Sequence, residues 1–339
     1  MKMKAAVLEL VGPIENDPLV LKDVPIPSIR RRQVLVRVAA CGVCRSNLHM
    51  IEGDWVQYGF PAKTPIIPGH EIVGTVAKIG EDVTLLHEGD RVGIQPLWNS
   101  CGVCEFCFTG REYLCESSVW TGEMVDGGYS EYVVANADYV TPVPKGLKDS
   151  EVAPLFCPGL TAYGAVKKAE LGPGKRVAVF GIGGVGHMVI QFANLYGAEI
   201  IAVTRNRLHH VLAKELGASS IVDTSQGDEP GWLKEIGNVD SSIIFAPSSA
   251  VLQLAVKATK RGGTIVYGVW ANLGVVPFHD EKKVVGAEVG SRQAMREVLK
   301  IAESGRIKCI CEEFSLDRAN EALQALKAGN IKARGVLLP

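Results

Sequence analysis

Short apolar stretches separated by turn residues dominate the first 144 residues of the chain. Brief runs of this kind, bounded by glycine, proline and small polar residues, are typical of strands in antiparallel sheets. The predicted strands are Ala5–Leu10, Val34–Cys41, Ile72–Ile79, Arg91–Ile94 and Tyr129–Ala135. We therefore expect this part of the chain to be mostly antiparallel β structure.

The pattern changes at Gly172, after which apolar strands alternate with stretches of helical period. Strands that alternate with helices form parallel, doubly wound sheets. The predicted strands here are Arg176–Phe180, Ile200–Thr204, Ser220–Val222, Ser242–Ala246 and Thr264–Val269. Two stretches near the end of the chain, Gln293–Ser304 and Asp317–Lys327, repeat their apolar residues with the period of a helix and are predicted to be helical.

Chain length and charge limit the classes of protein to consider. At 339 residues the chain exceeds the roughly 250–300 residues at which single cores stop growing, so we expect two domains. Its 36 basic and 37 acidic side chains give a formal charge of −1, which creates no field to attract nucleic acid or an anionic membrane. Glu9 interrupts the short apolar start, and no cleavage site follows it. No apolar run approaches the length of a membrane-spanning helix. We expect a cytoplasmic protein that binds neither nucleic acid nor membrane.

Four of the nine cysteines lie within fifteen residues. They are Cys101, Cys104, Cys107 and Cys115, spaced C-x2-C-x2-C-x7-C. In a reducing compartment such spacing favours metal over disulfides, and four thiolates suit a closed tetrahedral zinc site. The x7 gap matches neither ferredoxin pattern, and no basic helix of a nucleic-acid-binding zinc finger adjoins the loop. We predict a structural zinc site in a lobe at residues 95–116.

A glycine-rich turn directly follows the predicted strand that ends at Phe180. The turn reads GIGGVG and contains Gly181, Gly183, Gly184, Val185 and Gly186, and a helix-like stretch comes after it. Between a strand and a helix, these glycines allow close approach of a pyrophosphate, and the helix N-terminus supplies amide hydrogens. The turn therefore predicts a dinucleotide site.

The end of the next strand bears on the choice between nicotinamide cofactors. An acidic residue is expected about 20 residues after the glycine turn, where it would bind the ribose hydroxyls. The strand instead ends at Thr204 and continues with Arg205, Asn206 and Arg207. Without a carboxylate, a 2′-phosphate meets no repulsion there, and Arg205, together with Arg207, can pair with it. The sequence favours NADP over NAD, although Thr204 and Asn206 could also hydrogen-bond an unphosphorylated ribose.

Three further motifs are weak signals when each is taken alone. They are Cys44 in CGVCRSNLH, His70 and Glu71 in PGHEIVGTV, and Cys157 in LFCPGLTAYG. Spacing alone does not assemble them into a catalytic zinc site, which needs about three protein ligands and an open position. Together with GHEIVGTVAKIG, the four-cysteine lobe and the glycine turn, they resemble the zinc-containing medium-chain alcohol dehydrogenase family over nearly the whole chain. The chain looks most like the microbial tetrameric enzymes of that family, which include propanol-preferring ones.

The resemblance implies a fold and a domain division. The fold class is α/β, with a GroES-like, mostly antiparallel catalytic domain and a doubly wound Rossmann domain. The GroES-like domain would cover residues 1–153 and 291–339, and the Rossmann domain residues 154–290. A homotetramer or homodimer is implied as well.

Site residues also follow from the resemblance. Cys44, His70 and Cys157 would hold a catalytic zinc ion, and Glu71 could approach the metal when its bound ligand exchanges. Such an ion acts as a Lewis acid on a small alcohol or aldehyde, while hydride passes between the substrate and NAD(P). Ser46 would receive the alcohol proton, and His49 would pass it to solvent, a role suited to an imidazole side chain.

Asn47 departs from the family pattern, in which this position commonly carries Asp. The family carboxylate supports a zinc-binding histidine, and loss of such a partner costs about 10- to 100-fold in metal affinity or activity. Asn47 can accept the hydrogen bond from the histidine but carries no charge, so we expect a somewhat more weakly held or more electrophilic zinc ion.

Several more residues are assigned by resemblance. Val269, Val289 and Arg334 are predicted to contact the cofactor, with Arg334 reaching its pyrophosphate. Trp55, Trp98 and Trp120 are predicted to line the substrate pocket, although Pro96 stands where relatives often place a tryptophan.

Two other classes of function compete with the dehydrogenase interpretation. A non-catalytic zinc-binding protein would leave the glycine turn and the Ser46–His49 pair unexplained. A zinc-independent type of reductase, acting on activated double bonds, can use the same two-domain fold, but the presence of all three predicted catalytic zinc ligands argues against it.

Overall fold

The computed structural model describes residues 1–339 and divides into two compact units. The first unit comprises Met1–Cys157 and Gly290–Pro339, and the second comprises Pro158–Val289. The sequence predicts the divisions after residues 153 and 290. No helix has both the length and the apolar character needed to cross a membrane.

Seventeen strands and ten α-helices make up the two units. Strands β1 to β17 are, in chain order, Lys2–Leu8, Leu19–Pro25, Gln33–Gly42, Ile72–Ile79, Arg91–Ile94, Leu97–Asn99, Val119–Trp120, Tyr132–Asn136, Val140–Pro142, Arg176–Phe180, Glu199–Thr204, Ser220–Asp223, Val239–Ile244, Thr259–Tyr267, Lys283–Gly286, Cys311–Ser315 and Arg334–Leu338. Helices α1 to α10 are Arg45–Glu52, Glu105–Phe108, Asp149–Val152, Pro158–Lys168, Gly186–Leu195, Leu208–Glu215, Glu229–Ile236, Ser249–Ala258, Arg292–Glu303 and Ala319–Ala328. Short 3₁₀ turns lie at Ile14–Asn16, Val56–Tyr58, Glu112–Leu114, Ala137–Tyr139, Ala153–Phe156, Phe278–Asp280 and Leu316–Arg318.

A seven-stranded sheet forms the centre of the first unit. Its order is β16-β17-β3-β4-β5-β9, and β8 also pairs with β3. All of these pairs are antiparallel except β16 with β17. Apolar side chains such as Val36, Ile72 and Ile94 are fully buried in the core beneath this sheet. The prediction of a mostly antiparallel domain is confirmed.

The second unit contains a six-stranded, all-parallel sheet with the order β12-β11-β10-β13-β14-β15. Strand β10 is the first strand of this sheet along the chain. The next two strands, β11 and β12, lie on one side of it, and β13 to β15 lie on the other, as in doubly wound dinucleotide-binding folds. Residues Val177–Phe180 are buried without alternation, because a parallel sheet of this kind is covered on both faces. The predicted Rossmann architecture is confirmed. The glycine turn leaves β10 at the point where the strand order reverses.

Candidate functional site

The four lobe cysteines bring their sulfur atoms together around one point. All four sulfurs lie within 4.8 Å of one another. Cys107 Sγ lies 3.5 Å from Cys104 Sγ and 3.9 Å from Cys101 Sγ. Sulfurs bound to one zinc ion at about 2.3 Å in tetrahedral geometry lie about 3.8 Å apart. The donor set and its spacing therefore fit a four-thiolate zinc ion.

Local hydrogen bonds favour the thiolate form of Cys101, which is exposed to solvent. The backbone N–H of Val103 donates to Cys101 Sγ at 3.5 Å. This bond, with one from the Cys115 side chain, lowers the pKa of Cys101 to about 6. A thiolate is the form of cysteine that binds metal, so the loop conformation itself prepares a ligand.

A second cluster joins residues that are far apart in the sequence. Cys44, His70, Glu71 and Cys157 place one ligand atom each within 4.8 Å of the others, and all four side chains are buried. Cys44 Sγ and Cys157 Sγ lie 3.9 Å apart, again the spacing of two sulfurs on one zinc ion. We call this group the deep cluster and the four lobe cysteines the lobe cluster.

Pairing of β3 with β4 brings the deep cluster together. Cys41 pairs with Ile72, and the backbone N–H of Gly42 donates to the Glu71 carbonyl at 2.9 Å. His70 and Glu71 thus stand beside the end of β3, where Cys44 precedes helix α1. Cys157 comes from a different segment, directly after the 3₁₀ turn Ala153–Phe156.

The free ring nitrogen of His70 identifies the side of the imidazole that faces the cluster. Its Nε2 is buried and has no hydrogen-bond partner, which is costly unless another group satisfies it. Its Nδ1 lies 3.5 Å from Asn47 Nδ2 and 3.6 Å from Glu123 Oε1. A metal ion bound between Cys44 and Cys157 would satisfy Nε2, so the deep cluster fits three zinc ligands.

Charges around the deep cluster change the protonation of its members. The hydrogen bond from the Cys157 thiol is the main cause that lowers the pKa of Cys44 well below its usual value. Burial alone would lower the pKa of His70, but the adjacent Cys44 thiolate and the carboxylates of Glu123 and Glu71 raise it to about 9. The negative charge of Cys44 and the positive charge of His70 therefore favour each other in this interior site.

Arg334 neutralises Glu71 instead of standing free at the surface. It is buried, and its Nε donates to Glu71 Oε2 at 3.1 Å, with a second bond from Nη2 to Oε1. Burial raises the pKa of Glu71 to about 7, even though the Arg334 charge opposes this shift. The resemblance predicts that Arg334 contacts the cofactor pyrophosphate, and it does not indicate this ion pair. The contact between Arg334 and a pyrophosphate stays a prediction.

Ser46 and His49 lie three residues apart on helix α1 and so share one face of it. The Ser46 hydroxyl is buried without a hydrogen-bond partner. His49 Nδ1 lies 2.7 Å from Asp54 Oδ2, and its ring stacks on Trp55 with centroids 5.7 Å apart. Asp54 was not predicted from the sequence, since it lies in an ordinary surface turn. The relay itself remains a prediction.

The other two predicted pocket tryptophans lie on neighbouring strands. Trp120 on β7 pairs with Leu97 on β6, and Trp98 donates its indole N–H to the Val134 carbonyl at 3.3 Å. Both side chains are half-buried. Their contact with substrate stays a prediction.

In the second unit, the glycine turn is shaped for close packing. Gly181 has φ +88°, and a Cβ on Gly186 would overlap the Gly181 carbonyl. A Cβ on Gly183 would instead meet nothing within 4 Å, so this residue leaves open space beside the turn. Val185 directly precedes α5, whose N-terminus supplies positive dipole. Binding of a pyrophosphate at this turn stays a prediction.

The end of β11 presents a basic edge. Thr204 is buried and accepts the backbone N–H of Asn206 at 3.2 Å, whereas Arg205 and Arg207 are exposed. Asp223, which sequence reasoning missed, pairs in register with Thr204 from the neighbouring strand β12. The bonds from Ser225 are the main cause that lowers the pKa of Asp223, and the charges of His210 and Arg207 act in the same direction.

Two further predicted cofactor contacts lie elsewhere in this unit. Val269 follows β14 and packs against the apolar core of the unit. Val289 is buried at the last position of the unit. Their contact with a cofactor stays a prediction.

Comparisons with known proteins agree with this geometry. Residues 30–145 match the alcohol dehydrogenase GroES-like domain, and residues 184–304 match the zinc-binding dehydrogenase family. An alcohol dehydrogenase of Geobacillus stearothermophilus is 40% identical over 341 residues, covering 99% of each chain. Among solved structures, the alcohol dehydrogenase of Aeropyrum pernix has a TM-score of 0.91 at 31% identity, covering 99% of this chain and 100% of that one. A cobalt- and zinc-bound alcohol dehydrogenase from Pyrobaculum aerophilum has a TM-score of 0.89 at 28% identity, with 100% of both chains covered.

These findings define the protein as a nicotinamide-dependent oxidoreductase with a GroES-like domain and a Rossmann domain. The chain belongs to the zinc-containing alcohol dehydrogenase family and acts on an alcohol or aldehyde.

Proposed function

We propose that the chain binds two zinc ions, one in each cluster, and that the deep cluster is where a small primary or secondary alcohol is reversibly oxidised. The observation that carries this proposal is the buried convergence of Cys44, His70 and Cys157, with His70 Nε2 lacking a hydrogen-bond partner. Three protein ligands leave an open position for substrate, whereas the four lobe thiolates close their site. The lobe ion is structural.

Zinc, when bound, supplies Lewis-acid polarisation of the alcohol oxygen. Residues of the chain balance the charges beside the metal ligands and line the substrate pocket. The Glu71–Arg334 pair keeps a carboxylate beside the ligands without leaving an uncompensated charge in the interior. The side chains of Trp55, Trp98 and Trp120 line the substrate pocket with apolar surface.

Ser46 and His49 remove the proton. The Ser46 hydroxyl has no partner within the chain, so it is available to accept a proton from substrate and pass its own onward. Asp54 holds the Nδ1 side of His49, which fixes the proton on Nδ1 and leaves Nε2 as the basic nitrogen. His49 then releases the proton to solvent from Nε2.

The glycine turn and the residues after β11 bind the cofactor. Gly181, Gly183, Gly184, Val185 and Gly186 cradle the pyrophosphate, and Thr204, Val269 and Val289 complete the site within this unit. We assign NADP as the preferred cofactor because Arg205 and Arg207 are exposed beside the predicted ribose position. Arg205→Ala should lower kcat/KM for NADP by about 10- to 100-fold, the value of one charge-assisted hydrogen bond, and leave NAD nearly unchanged. Arg296→Ala, at an exposed position in α9, is the matched control.

Assembly into a homotetramer or homodimer is part of the same proposal. Trp270, Val275 and Phe278 are 65%, 86% and 92% exposed in one segment of the second unit. Clustered exposed apolar side chains mark association surfaces. Light scattering with size-exclusion chromatography tests the assembly, and a monomer at micromolar concentration would contradict it. Nine free cysteines suit a reducing compartment, which supports placement in the cytoplasm.

Nicotinamide absorbance provides the test of the function. Purified protein is assayed with NADP and with NAD against short primary and secondary alcohols and their carbonyl products, before and after chelation. We expect turnover that chelation abolishes and zinc restores. Reduction of activated double bonds without any turnover of alcohols would support a reductase instead, and zinc-replete protein that turns over no substrate would support a non-catalytic role.

A further inference from the structure

His70 requires a hydrogen-bond acceptor on the side of its ring that faces away from the deep cluster. If Nε2 binds zinc, the neutral imidazole carries its proton on Nδ1, and this N–H must be donated. The side-chain amide of Asn47 lies 3.5 Å from Nδ1, at the limit of a hydrogen bond, and it carries no charge. A negatively charged acceptor for the Nδ1 proton must therefore come from another group.

Glu123 is the carboxylate at that position. Its Oε1 lies 3.6 Å from His70 Nδ1, a few tenths of an ångström beyond hydrogen-bond length. Both side chains are nearly inaccessible to solvent, at 2% for His70 and 12% for Glu123. A charge contact at this depth is little screened by water. Glu123 is therefore placed to act on the zinc ligand.

The backbone fixes Glu123 beside His70 through the turn that carries it. A Cβ on Gly122 would lie 2.7 Å from the backbone N and O of Gly69, so the turn lies directly on the residue before His70. The N–H groups of Gly127 and Gly128 then donate to the carbonyls of Ile67 and Gly69 at 2.7 and 2.9 Å. The segment that contains Glu123 therefore lies alongside the segment that contains His70. Backbone hydrogen bonds between the two segments hold their side chains close together.

We propose that Glu123 is a positioning residue for zinc, supplying the negatively charged acceptor that orients His70 and strengthens its bond to the metal. The carboxylate that Asn47 cannot provide comes from a different loop. This inference rests on the proposed catalytic zinc site. It replaces the sequence-based expectation of a weakened hold on zinc, because the charge missing at position 47 is present at position 123.

A variant pair tests the proposal on metal binding. Glu123→Gln keeps the shape of the side chain and removes its charge. We expect zinc to leave the deep cluster of this variant about 10- to 100-fold more readily, as measured by competition with a chromogenic chelator. The double variant Asn47→Asp/Glu123→Gln returns the charge from the other side of His70 and should restore retention to near the wild-type value. Glu88→Gln, the same change at an exposed position of the first unit, is the control and should release zinc as wild type does.

Cobalt substitution adds a signal that general loss of stability would not change. The absorption bands of Co²⁺ in the deep cluster should shift in Glu123→Gln and return in the double variant, while thermal unfolding stays similar. Equal zinc release from wild type and Glu123→Gln, with two ions per chain in both, would overturn the proposal. So would a double variant that releases zinc as readily as Glu123→Gln. Wild-type protein that holds zinc only in the lobe would instead overturn the proposed catalytic site.

Discussion

The two clusters of the first unit offer similar ligand atoms in opposite surroundings. The lobe cluster is closed within fifteen residues, and Cys101 is exposed. The deep cluster draws on segments up to 113 residues apart, and all its members are buried. In the lobe, a backbone N–H favours the thiolate of Cys101, whereas in the interior Cys44 and His70 favour each other's charged forms. In the proposed roles, a structural site can be local and exposed, whereas a catalytic site that excludes water draws its ligands from distant segments.

The largest expected effect comes from removing a ligand of the deep cluster. Cys157→Ser should lower kcat/KM for alcohols by at least about 1,000-fold, because Lewis-acid catalysis contributes several kcal/mol to the barrier. The variant should still fold and should retain one zinc ion per chain, held in the lobe. Metal analysis alongside steady-state kinetics checks both expectations. Activity near the wild-type level would contradict the assignment of the two sites.

The ion pairs near the two clusters should differ in their contribution to stability, because one is buried and the other is exposed. Glu71→Gln leaves the buried Arg334 without its carboxylate and should lower the free energy of unfolding by about 3–5 kcal/mol. Glu105→Gln breaks the exposed ion pair with Arg111 in the lobe and should leave the free energy of unfolding nearly unchanged. Denaturant unfolding of both variants measures the difference. Similar losses in the two would show that burial does not distinguish the clusters.

Removing a lobe ligand should affect stability more than chemistry. Cys104→Ser should lower Tm by about 5–10 °C, since a structural zinc ion contributes to folding directly. Freshly purified variant should keep most of its kcat, because the deep cluster is intact. Differential scanning calorimetry and an immediate assay test this pair of outcomes. Loss of kcat equal to that of Cys157→Ser, with Tm unchanged, would assign catalysis to the lobe.

The smallest effect concerns the link between the lobe and helix α9. Glu112 is buried in the lobe and accepts the backbone N–H and Nε of Arg292 at 2.9 and 3.1 Å. Glu112→Gln should cost about 1–2 kcal/mol, as expected for hydrogen bonds that involve a charged group. The exposed Glu116→Gln is the matched control in the same loop. Identical urea midpoints for the two variants would show that this link contributes nothing.

The sequence predicted the architecture because periodicity is a local property of the chain. The apolar run Arg176–Phe180 and the glycine turn after it indicate a buried parallel strand and its loop, and both occur in the structure. The lobe cluster could likewise be recognised from spacing. Weakly apolar or very short strands, such as β2 and β6, were missed because they lack a long enough apolar pattern.

The deep cluster could be proposed only by resemblance, since its members meet through pairing of distant strands. The contacts of its members with neighbouring charged residues could not be predicted from sequence patterns. Arg334 lies 263 residues from Glu71, and no local feature indicates that they form a buried pair. Glu123 stands in an ordinary turn, and only tertiary packing places it against His70. Asp54 and Asp223 are also brought to their partners by the fold.

Zinc content and turnover, followed together in the wild-type protein, test the central claim most directly. Samples taken during graded chelation are analysed for zinc per chain and for alcohol-dependent reduction of NADP and NAD. We predict two zinc ions per chain at the start, and activity that falls in proportion to loss of the deep-cluster ion and returns with added zinc. Full turnover in protein whose deep cluster has been emptied would contradict the account.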